Sequence, residues 1–219
     1  MSASATAPVP AVSIDAAALR AALERCRIVV ERHAAYLTRL DTVLGDGDHG
    51  DNLVIGFRAV DALLAELPVE TLPGELLRAV GHRLVAAVGG ASGPLYGTAF
   101  LEAGARADDA TRLDGAALAG MLRAAGDGLA RRGRCAVGDK TILDTLAPAA
   151  DAFETAIRDG RPLREAYAAA VRAGREGALS TRDLVARRGL ALRLGERSAG
   201  HLDPGAVSCV LLLRALGGR

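Results

Sequence analysis

Apolar residues recur along most of the chain at alternating spacings of three and four, which is the period of one face of an α-helix. The longest such run extends from Leu19 to Leu40, and Asp15 stands where it can cap the start of a helix. Further runs begin at Leu53, Leu76, Ile142 and Leu163. The pattern therefore predicts at least five amphipathic helices that share one core.

Capping residues and prolines mark the remaining helix starts. These signals are Pro94, Asp114, the stretch from Ser180 to Asp183, and Asp203 followed by Pro204. The stretch from Ser180 has the form of a capping box and predicts a short helix that ends near Gly189. No segment alternates convincingly between apolar and polar residues as a strand would. We therefore predict an all-α domain of about eight helices in one bundle.

Composition and charge narrow the class of protein. Half of the residues are hydrophobic but only 3% are aromatic, so we expect small aliphatic side chains to fill the core of closely packed helices. The net charge of +1 argues against binding to nucleic acid through a broad basic surface. The three cysteines are widely spaced, and an odd number without a CxxC pair is typical of reduced thiols.

The sequence predicts a short N-terminal tail followed by one domain. Residues 1–13 are rich in Ala, Ser, Pro and Val and lack a basic residue, which predicts a disordered tail rather than a signal peptide. Residues 14–219 then form the single domain. No apolar stretch reaches the roughly 18 residues that a membrane helix needs. We expect a cytoplasmic protein that does not contact a membrane.

The stretch from Asp41 to Asn52 carries the most specific chemistry. It places Asp41, Asp46 and Asp48 among three glycines, whose flexible backbone lets the carboxylates converge. Oxygen ligands at short spacing suit a hard cation, Mg²⁺ or Ca²⁺, better than zinc. The helix predicted to begin directly afterwards offers free N–H groups to a phosphate. The alternative is a plain Asp-Gly turn with a capping aspartate; an EF-hand is excluded because its sixth position would be Asp51 and its twelfth Phe57.

Four glycine-bearing loops, at residues 45–52, 89–94, 133–141 and 195–205, separate the predicted helices. In an antiparallel bundle alternate connections lie at the same end, and the connections between these four are short and plain. We therefore expect the four loops to surround one mouth. The third loop has the glycine spacing of a Walker A motif, but Asp139 stands where lysine is required and no strand precedes it, so a P-loop fold is excluded.

Four motifs together resemble the L subunit of dihydroxyacetone kinase. They run from Asp41 to Asn52, from Gly89 to Thr98, from Gly138 to Thr141 and from Leu194 to Ala206. In this order they span the chain from its first helix to its last. The resemblance implies an antiparallel eight-helix barrel that holds ADP or ATP and two Mg²⁺ ions at one end.

The resemblance also implies a role for individual residues. Asp41, Asp46 and Asp48 would be the magnesium ligands. The nucleotide-binding residues would be His49, Gly50, Asp51, Asn52, Ala91, Ser92, Gly133, Ile142, Asp203, Pro204 and Gly205. The chain departs from the family at Leu190, where the family commonly has an arginine that contacts the nucleotide. Arg193 is a candidate to replace that arginine. No residue of the chain is predicted as a catalytic acid or base.

The family also implies partners. Its acceptor sugar is held by a separate K subunit, so the chain would supply half of an active site for dihydroxyacetone or a related ketose. The phosphoryl group would come either from a phosphotransferase-system protein or by exchange with ATP. Two alternatives stay open: a kinase subunit for another acceptor, and a regulatory module that binds nucleotide and docks to another protein.

Overall fold

The computed structural model describes residues 13–107 and 109–218, which form one helical body. Its helices are α1 (Ala16–Leu44), α2 (His49–Glu66), α3 (Pro73–Ala87), α4 (Ser92–Ala107), α5 (Gly115–Gly133), α6 (Leu143–Arg158), α7 (Leu163–Ser180) and α8 (Pro204–Leu216). Two 3₁₀ segments, Thr181–Asp183 and Leu190–Ser198, lie between α7 and α8. The two-residue strands β1 (Ile14–Asp15) and β2 (Arg112–Leu113) pair antiparallel. The tail predicted for residues 1–13 falls almost entirely outside the described residues.

The helices form a closed ring. Each helix packs on its neighbours in the sequence, and α8 packs on α1 to close the barrel. At the closing seam the Arg25 guanidinium donates to the Ala215 carbonyl, with 2.9 Å between Nε and O. The all-α antiparallel eight-helix barrel is therefore confirmed for the described residues.

The predicted apolar stripe of α1 faces the centre of the barrel. Cys26, Val30 and Leu37 on this helix have no exposed surface, and a buried aliphatic side chain stabilises a fold by about 1.5–3 kcal/mol. Glycine also allows a close helix contact between α3 and α4: a Cβ added at Gly81 would lie 2.8 Å from the Gly97 carbonyl. Small residues thus bring these two backbones together, as the composition indicates.

Three predicted caps are confirmed. The side chains of Asp15, Asp114 and Asp203 accept hydrogen bonds from backbone N–H groups three residues further on, at 2.9, 2.8 and 2.7 Å. Each carboxylate therefore satisfies a donor at the start of α1, α5 or α8 that has no partner within its helix.

The short helix predicted from Ser180 to Gly189 is wrong. Helix α7 continues through Ser180, whose hydroxyl donates to the Gly177 carbonyl at 2.8 Å instead of capping a new helix. Only the 3₁₀ turn Thr181–Asp183 follows. Burial of Ala178 against the barrel holds the last turn of α7 in place, so packing overrides the local capping signal.

The core is less completely filled than the composition suggests. An apolar cavity of about 400 Å³ lies inside the barrel, lined by residues that include Leu19, Phe100 and Leu213. With so few aromatic side chains, the aliphatic residues do not fill the centre of an eight-helix ring. Within residues 13–107 and 109–218, no helix is both long enough and apolar enough to cross a membrane.

Candidate functional site

One end of the barrel carries a cavity of about 350 Å³ at which the four glycine-bearing loops meet. We call this end the mouth; it is formed by residues 45–48, 88–91, 133–142 and 188–203. The cavity is lined from the first loop by Asp46, from the second by Ala91, from the third by Gly133 and from the last by Asp203. The predicted grouping of the four loops at one end is therefore confirmed.

Asp41 organises the first loop. It is the last buried polar residue of α1, and its Oδ2 accepts hydrogen bonds from the backbone N–H groups of Gly47, Asp48 and His49 at 3.0–3.1 Å. These bonds wrap the chain around the carboxylate and start α2 at His49, four residues before its first predicted apolar position. A Cβ at Gly45 would lie 2.2 Å from Asp41 Oδ1, so only glycine leaves that oxygen free.

The three predicted metal ligands come together. Asp41, Asp46 and Asp48 each offer a carboxylate oxygen, and these oxygens lie within 4.8 Å of one another. Burial, followed by repulsion from the Asp46 and Asp41 carboxylates, raises the pKa of Asp48. Carboxylates this close together repel one another, and a divalent cation between them would relieve that repulsion. Mg²⁺ is commonly held by a few carboxylates together with phosphate oxygens.

A buried polar network lies behind the predicted phosphate contacts. His49 Nδ1 lies 2.9 Å from Ser92 Oγ, and His49 Nε2 lies 2.9 Å from Ser208 Oγ. The Tyr96 hydroxyl lies 2.6 Å from Ser208 Oγ, and Ser208 donates to the Gly205 carbonyl at 3.0 Å. Burial lowers the pKa of His49 and favours the neutral ring. The network joins the N-terminal ends of α2, α4 and α8.

Neither Tyr96 nor Ser208 is predicted as a site residue from the sequence. Tyr96 lies inside the glycine-rich motif, but its ring reads as a core residue. Ser208 is the one hydroxyl residue within the apolar stretch from Ala206 to Leu213, and it has no exposed surface. A buried hydroxyl in such a stretch needs a hydrogen-bond partner, and this is the feature of the sequence that indicates a polar contact at Ser208.

The opposite wall of the cavity is built on the start of α6. Asp144 accepts hydrogen bonds from the backbone N–H groups of Gly138 and Thr141 at 2.5 and 2.6 Å, which shapes the loop beside Gly133 and Ile142. Both of these predicted nucleoside contacts line the cavity.

Lys140 ties this wall to the last loop. Its side chain is buried, and its ammonium donates to the carbonyl oxygens of Thr181 and His201. Desolvation lowers the pKa of Lys140. Next to it, desolvation raises the pKa of Asp203 to about 7, in spite of the Lys140 charge and the hydrogen bond from Ala206 N–H. Asp203, Pro204 and Gly205 all line the cavity, as predicted for the closing loop.

Three predicted nucleotide contacts lie outside the cavity lining. Gly50 packs against α1, where an added Cβ would lie 2.1 Å from the Ala34 carbonyl. Asp51 is exposed on the outer side of α2. The Asn52 side chain lies beside Gly89, and the Asn52 backbone N–H donates to the Asp48 carbonyl at 2.9 Å. From these positions Gly50 and Asn52 support the first turn of α2, whereas His49, Ala91 and Ser92 line the cavity.

The last loop places a different arginine at the mouth from the one that the sequence suggests. Leu190 lines the cavity and is 41% exposed. Arg193 is exposed and lies outside the lining, whereas Arg188 lies within it. Arg188 Nε donates to the Arg134 carbonyl at 2.5 Å and lies 3.5 Å from Asp139 Oδ2. Register along the sequence did not point to Arg188, because residues 184–189 follow no regular helical path.

Known proteins resemble the chain over most of its length. The family described as the DAK2 domain matches residues 43–218. The PEP-dependent dihydroxyacetone kinase 2, ADP-binding subunit DhaL, of Listeria innocua is 40% identical over 204 residues, which cover 93% of this chain and 94% of that subunit. The D-erythrulose kinase of Mycolicibacterium smegmatis is 38% identical over 181 residues, which cover 82% of this chain but 31% of that enzyme.

A solved structure has the same fold. It is the dihydroxyacetone kinase from C. freundii in complex with AMP-PNP and Mg²⁺; it superposes with a TM-score of 0.71 at 26% identity and covers all of this chain. The chain spans 36% of that kinase chain. By its sequence and its fold, this chain belongs to the DAK2 domain family, together with the DhaL subunits of dihydroxyacetone kinases.

Proposed function

We propose that the chain is the nucleotide-carrying subunit of a kinase that phosphorylates dihydroxyacetone or a related short ketose. The observation that carries this proposal is the convergence of Asp41, Asp46 and Asp48 at the start of α2, inside the cavity of the mouth. The relatives support it, since they include an ADP-binding subunit and a kinase in complex with AMP-PNP and Mg²⁺.

The lining suggests how a nucleotide would lie. The aspartates would hold Mg²⁺, two ions in our proposal, against the terminal phosphates. His49, Ala91 and Ser92 lie beside them at the N-terminal ends of α2 and α4, where N–H groups and the helix dipole favour an anion. Gly133 and Ile142 would flank the nucleoside, and residues 203–205 would close over it. Gly50, Asp51 and Asn52 would act from behind this wall.

Phosphoryl transfer requires alignment and charge neutralisation more than covalent help from the protein. Bound Mg²⁺ would supply the neutralisation at the phosphate oxygens. The residues of this chain hold the phosphates in line and keep water from one side of them. We assign no catalytic acid or base to the chain, because the acceptor hydroxyl would arrive with a partner.

The partner in this proposal is a K subunit that holds the ketose and docks over the mouth. Three apolar side chains stand exposed there: Val137 (61%), Leu190 (41%) and Leu192 (55%). A partner that covers them would also exclude water from the phosphates. We further propose residues 14–219 as one domain, a cytoplasmic location, and phosphoenolpyruvate as the phosphoryl source, delivered through a phosphotransferase-system protein.

A four-carbon ketose is a second candidate acceptor. The relative of M. smegmatis is a D-erythrulose kinase at 38% identity, close to the 40% of the L. innocua subunit. In this proposal the cavity holds nucleotide and metal, so the choice of acceptor would rest with the K subunit. An assay with both sugars separates the two candidates.

Two measurements test the proposal. Calorimetry with ADP should show binding in the presence of Mg²⁺ and little or none with a chelator; equal affinity in both would contradict the metal site. Ketose phosphorylation is then measured with and without a K-type subunit, with ATP or with phosphoenolpyruvate and its transfer proteins. We expect turnover only with the K subunit. Robust turnover by the isolated chain would overturn the half-site proposal.

A further inference from the structure

Ser208 lies at the centre of the buried network, one layer behind the cavity. It has no exposed surface, and its hydroxyl meets His49 Nε2 at 2.9 Å, the Tyr96 hydroxyl at 2.6 Å and the Gly205 carbonyl at 3.0 Å. On the other side of the imidazole, Nδ1 meets Ser92 Oγ at 2.9 Å. Ser92 lines the cavity and Ser208 does not. A chain of polar contacts therefore runs from a buried hydroxyl to the cavity wall.

Counting protons gives one arrangement in which every short contact is a hydrogen bond. Ser208 donates its only proton to the Gly205 carbonyl, so its oxygen accepts from Tyr96 and from His49 Nε2–H. A neutral imidazole carries one N–H, so Nδ1 is then an acceptor and takes the proton of Ser92. In this arrangement the Ser92 hydroxyl points inward and offers the cavity no proton.

A phosphate that bonds to Ser92 favours the opposite arrangement. When Ser92 donates to the anion, its bond to His49 is kept only if the ring carries its proton on Nδ1 and donates to the Ser92 oxygen. Nε2 then accepts from Ser208, and the Gly205 carbonyl keeps only the longer contact to Tyr96, at 3.4 Å. The two arrangements differ by one weakened internal bond and one new bond to the ligand. A charge-assisted bond to a phosphate is stronger than a neutral one, so the ligand decides between them.

We propose that Ser208 is a positioning residue that acts through the tautomer of His49 and sets the direction in which the Ser92 hydroxyl donates. Binding of a phosphate group moves the His49 proton from Nε2 to Nδ1. The exchange is neutral overall: Ser92 gives its proton to Nδ1 and takes one from solvent, while Nε2 gives its proton to Ser208. Ser208 passes its own proton to Tyr96 once the Tyr96 hydroxyl has turned its proton toward the cavity, which Tyr96 also lines, and that proton leaves there. The inference rests on the proposed function, because the phosphate is that of the bound nucleotide.

The first test is the nitrogen NMR spectrum of the ring of His49. The whole chain is labelled with ¹⁵N-histidine, and the signals of His33, His82 and His201 are identified by replacing each with glutamine. Spectra are recorded without ligand, with Mg²⁺ alone and with Mg²⁺ and ADP. We expect Nε2–H without ligand and with Mg²⁺ alone, and Nδ1–H with Mg²⁺ and ADP. The same tautomer in all three, or a doubly protonated ring, would overturn the proposal.

The second test asks whether Ser208 acts through Ser92. Affinity for ADP with Mg²⁺ is measured for Ser92→Ala, Ser208→Ala and the double variant. Ser92→Ala should weaken binding roughly three- to tenfold, the effect of one hydrogen bond. Ser208→Ala should instead tighten it by up to about threefold, because ligand binding no longer weakens the Ser208 bond to the Gly205 carbonyl. The double variant should bind as weakly as Ser92→Ala, since Ser208 then has nothing left to orient. Multiplying effects would assign Ser208 a merely structural role and contradict the proposal.

A matched control separates positioning from packing. Thr145 is as buried as Ser208, and its hydroxyl donates at 2.9 Å to the carbonyl of Ala206, two residues before Ser208 on α8. Thr145→Val should lower the melting temperature but leave the His49 tautomer and its response to ADP unchanged. If Ser208→Ala does not fold, the NMR test on the unmodified chain still decides. If the unmodified chain does not bind ADP, the proposed function fails. The spectrum without ligand still tests the expected Nε2–H tautomer.

Discussion

The two oxygens of Asp41 have separate tasks. Oδ2 accepts three backbone N–H groups and shapes the loop, whereas Oδ1 is left free beside Gly45 for a cation. Asp46 and Asp48 carry no comparable set of backbone bonds. One of the three proposed ligands is therefore also a structural residue, and its replacement should have a different effect from that of the other two.

Replacing each aspartate by asparagine tests this difference. Asp46→Asn and Asp48→Asn should preserve or slightly raise the melting temperature of the ligand-free protein, because they relieve like-charge repulsion. Asp41→Asn should lower the free energy of unfolding by about 2 kcal/mol, since it removes a charged acceptor from three hydrogen bonds. All three should abolish binding of ADP with Mg²⁺ in calorimetry. Equal melting temperatures for Asp41→Asn and Asp48→Asn would contradict the assignment.

The raised pKa of Asp203 predicts a pH dependence of stability. Its pKa is about 7 in the folded protein, above the ordinary value of 3.8, so the folded state binds more protons than the unfolded state between pH 4 and pH 7. Stability from this group therefore falls as pH rises through that window. Asp203→Asn keeps a capping side chain but removes the charge. Its unfolding free energy relative to the natural chain should rise by on the order of 2 kcal/mol between pH 4.5 and pH 8.

The control for this measurement is Asp114→Asn, which changes an exposed cap at the start of α5 in the same way. Chemical denaturation is performed on both variants without ligand at each pH. If the unfolding free energy of both variants, relative to the natural chain, rose with pH by the same amount, burial of Asp203 would not be the cause.

Among the elements, the segment between α7 and α8 depends on long-range contacts. Lys140 holds it through the carbonyl oxygens of Thr181 and His201, and Arg188 holds it through the Arg134 carbonyl. The segment is thereby anchored to the loop that carries Gly133, beside the proposed nucleoside position. An arginine at this point has a guanidinium plane and remaining donors to offer a nucleoside.

Arg188→Ala tests the contribution of this segment to nucleotide binding. It should weaken binding of ADP with Mg²⁺ about five- to tenfold, the loss of one ordinary hydrogen bond. Binding of pyrophosphate with Mg²⁺ should not change, because that ligand lacks the nucleoside. Arg193→Ala, a neighbouring exposed arginine outside the cavity lining, is the control. A parallel loss for pyrophosphate would place Arg188 at the phosphates instead.

The sequence predicts correctly those features of the site that are determined by residues close together in the chain. Asp41, Asp46 and Asp48 lie within eight residues, and glycines between them make their convergence a local matter. The contact between His49 and Ser208 joins residues 159 positions apart and depends on how the ring of helices closes. The failed helix after Ser180 shows the same limit, because packing of α7 overrides a local cap.

For the molecule as a whole, the two ends of the barrel differ in construction. The mouth collects helix termini and charged loops, whereas the opposite end carries short turns and the pairing of Ile14–Asp15 with Arg112–Leu113. A ligand at the mouth contacts loops that join most of the helices. Its binding free energy should therefore slow opening of that end more than opening of the other.

Hydrogen exchange measures this asymmetry directly. With ADP and Mg²⁺ at saturation, amides of residues 45–52, 89–94 and 199–207 should exchange at least tenfold more slowly, while those of 67–72 and 109–114 should change little. Mg²⁺ without nucleotide should protect the first of these segments alone. Uniform protection over the whole barrel would indicate that the ligand acts only on global unfolding.

Because α1 runs toward the mouth and α8 runs away from it, Ile14 and Leu216 both lie at the end of the barrel opposite the cavity. Helix α1 has 29 residues, so about 40 Å separates its start from the mouth. The protein can therefore be attached to a sensor chip, a bead or a fluorescent reporter at either side of its described region without obstructing the cavity. Surface plasmon resonance on a chain immobilised through its C-terminal side should give the same affinity for ADP with Mg²⁺ as calorimetry in solution, and the immobilised mouth should remain open to a protein as large as a K subunit.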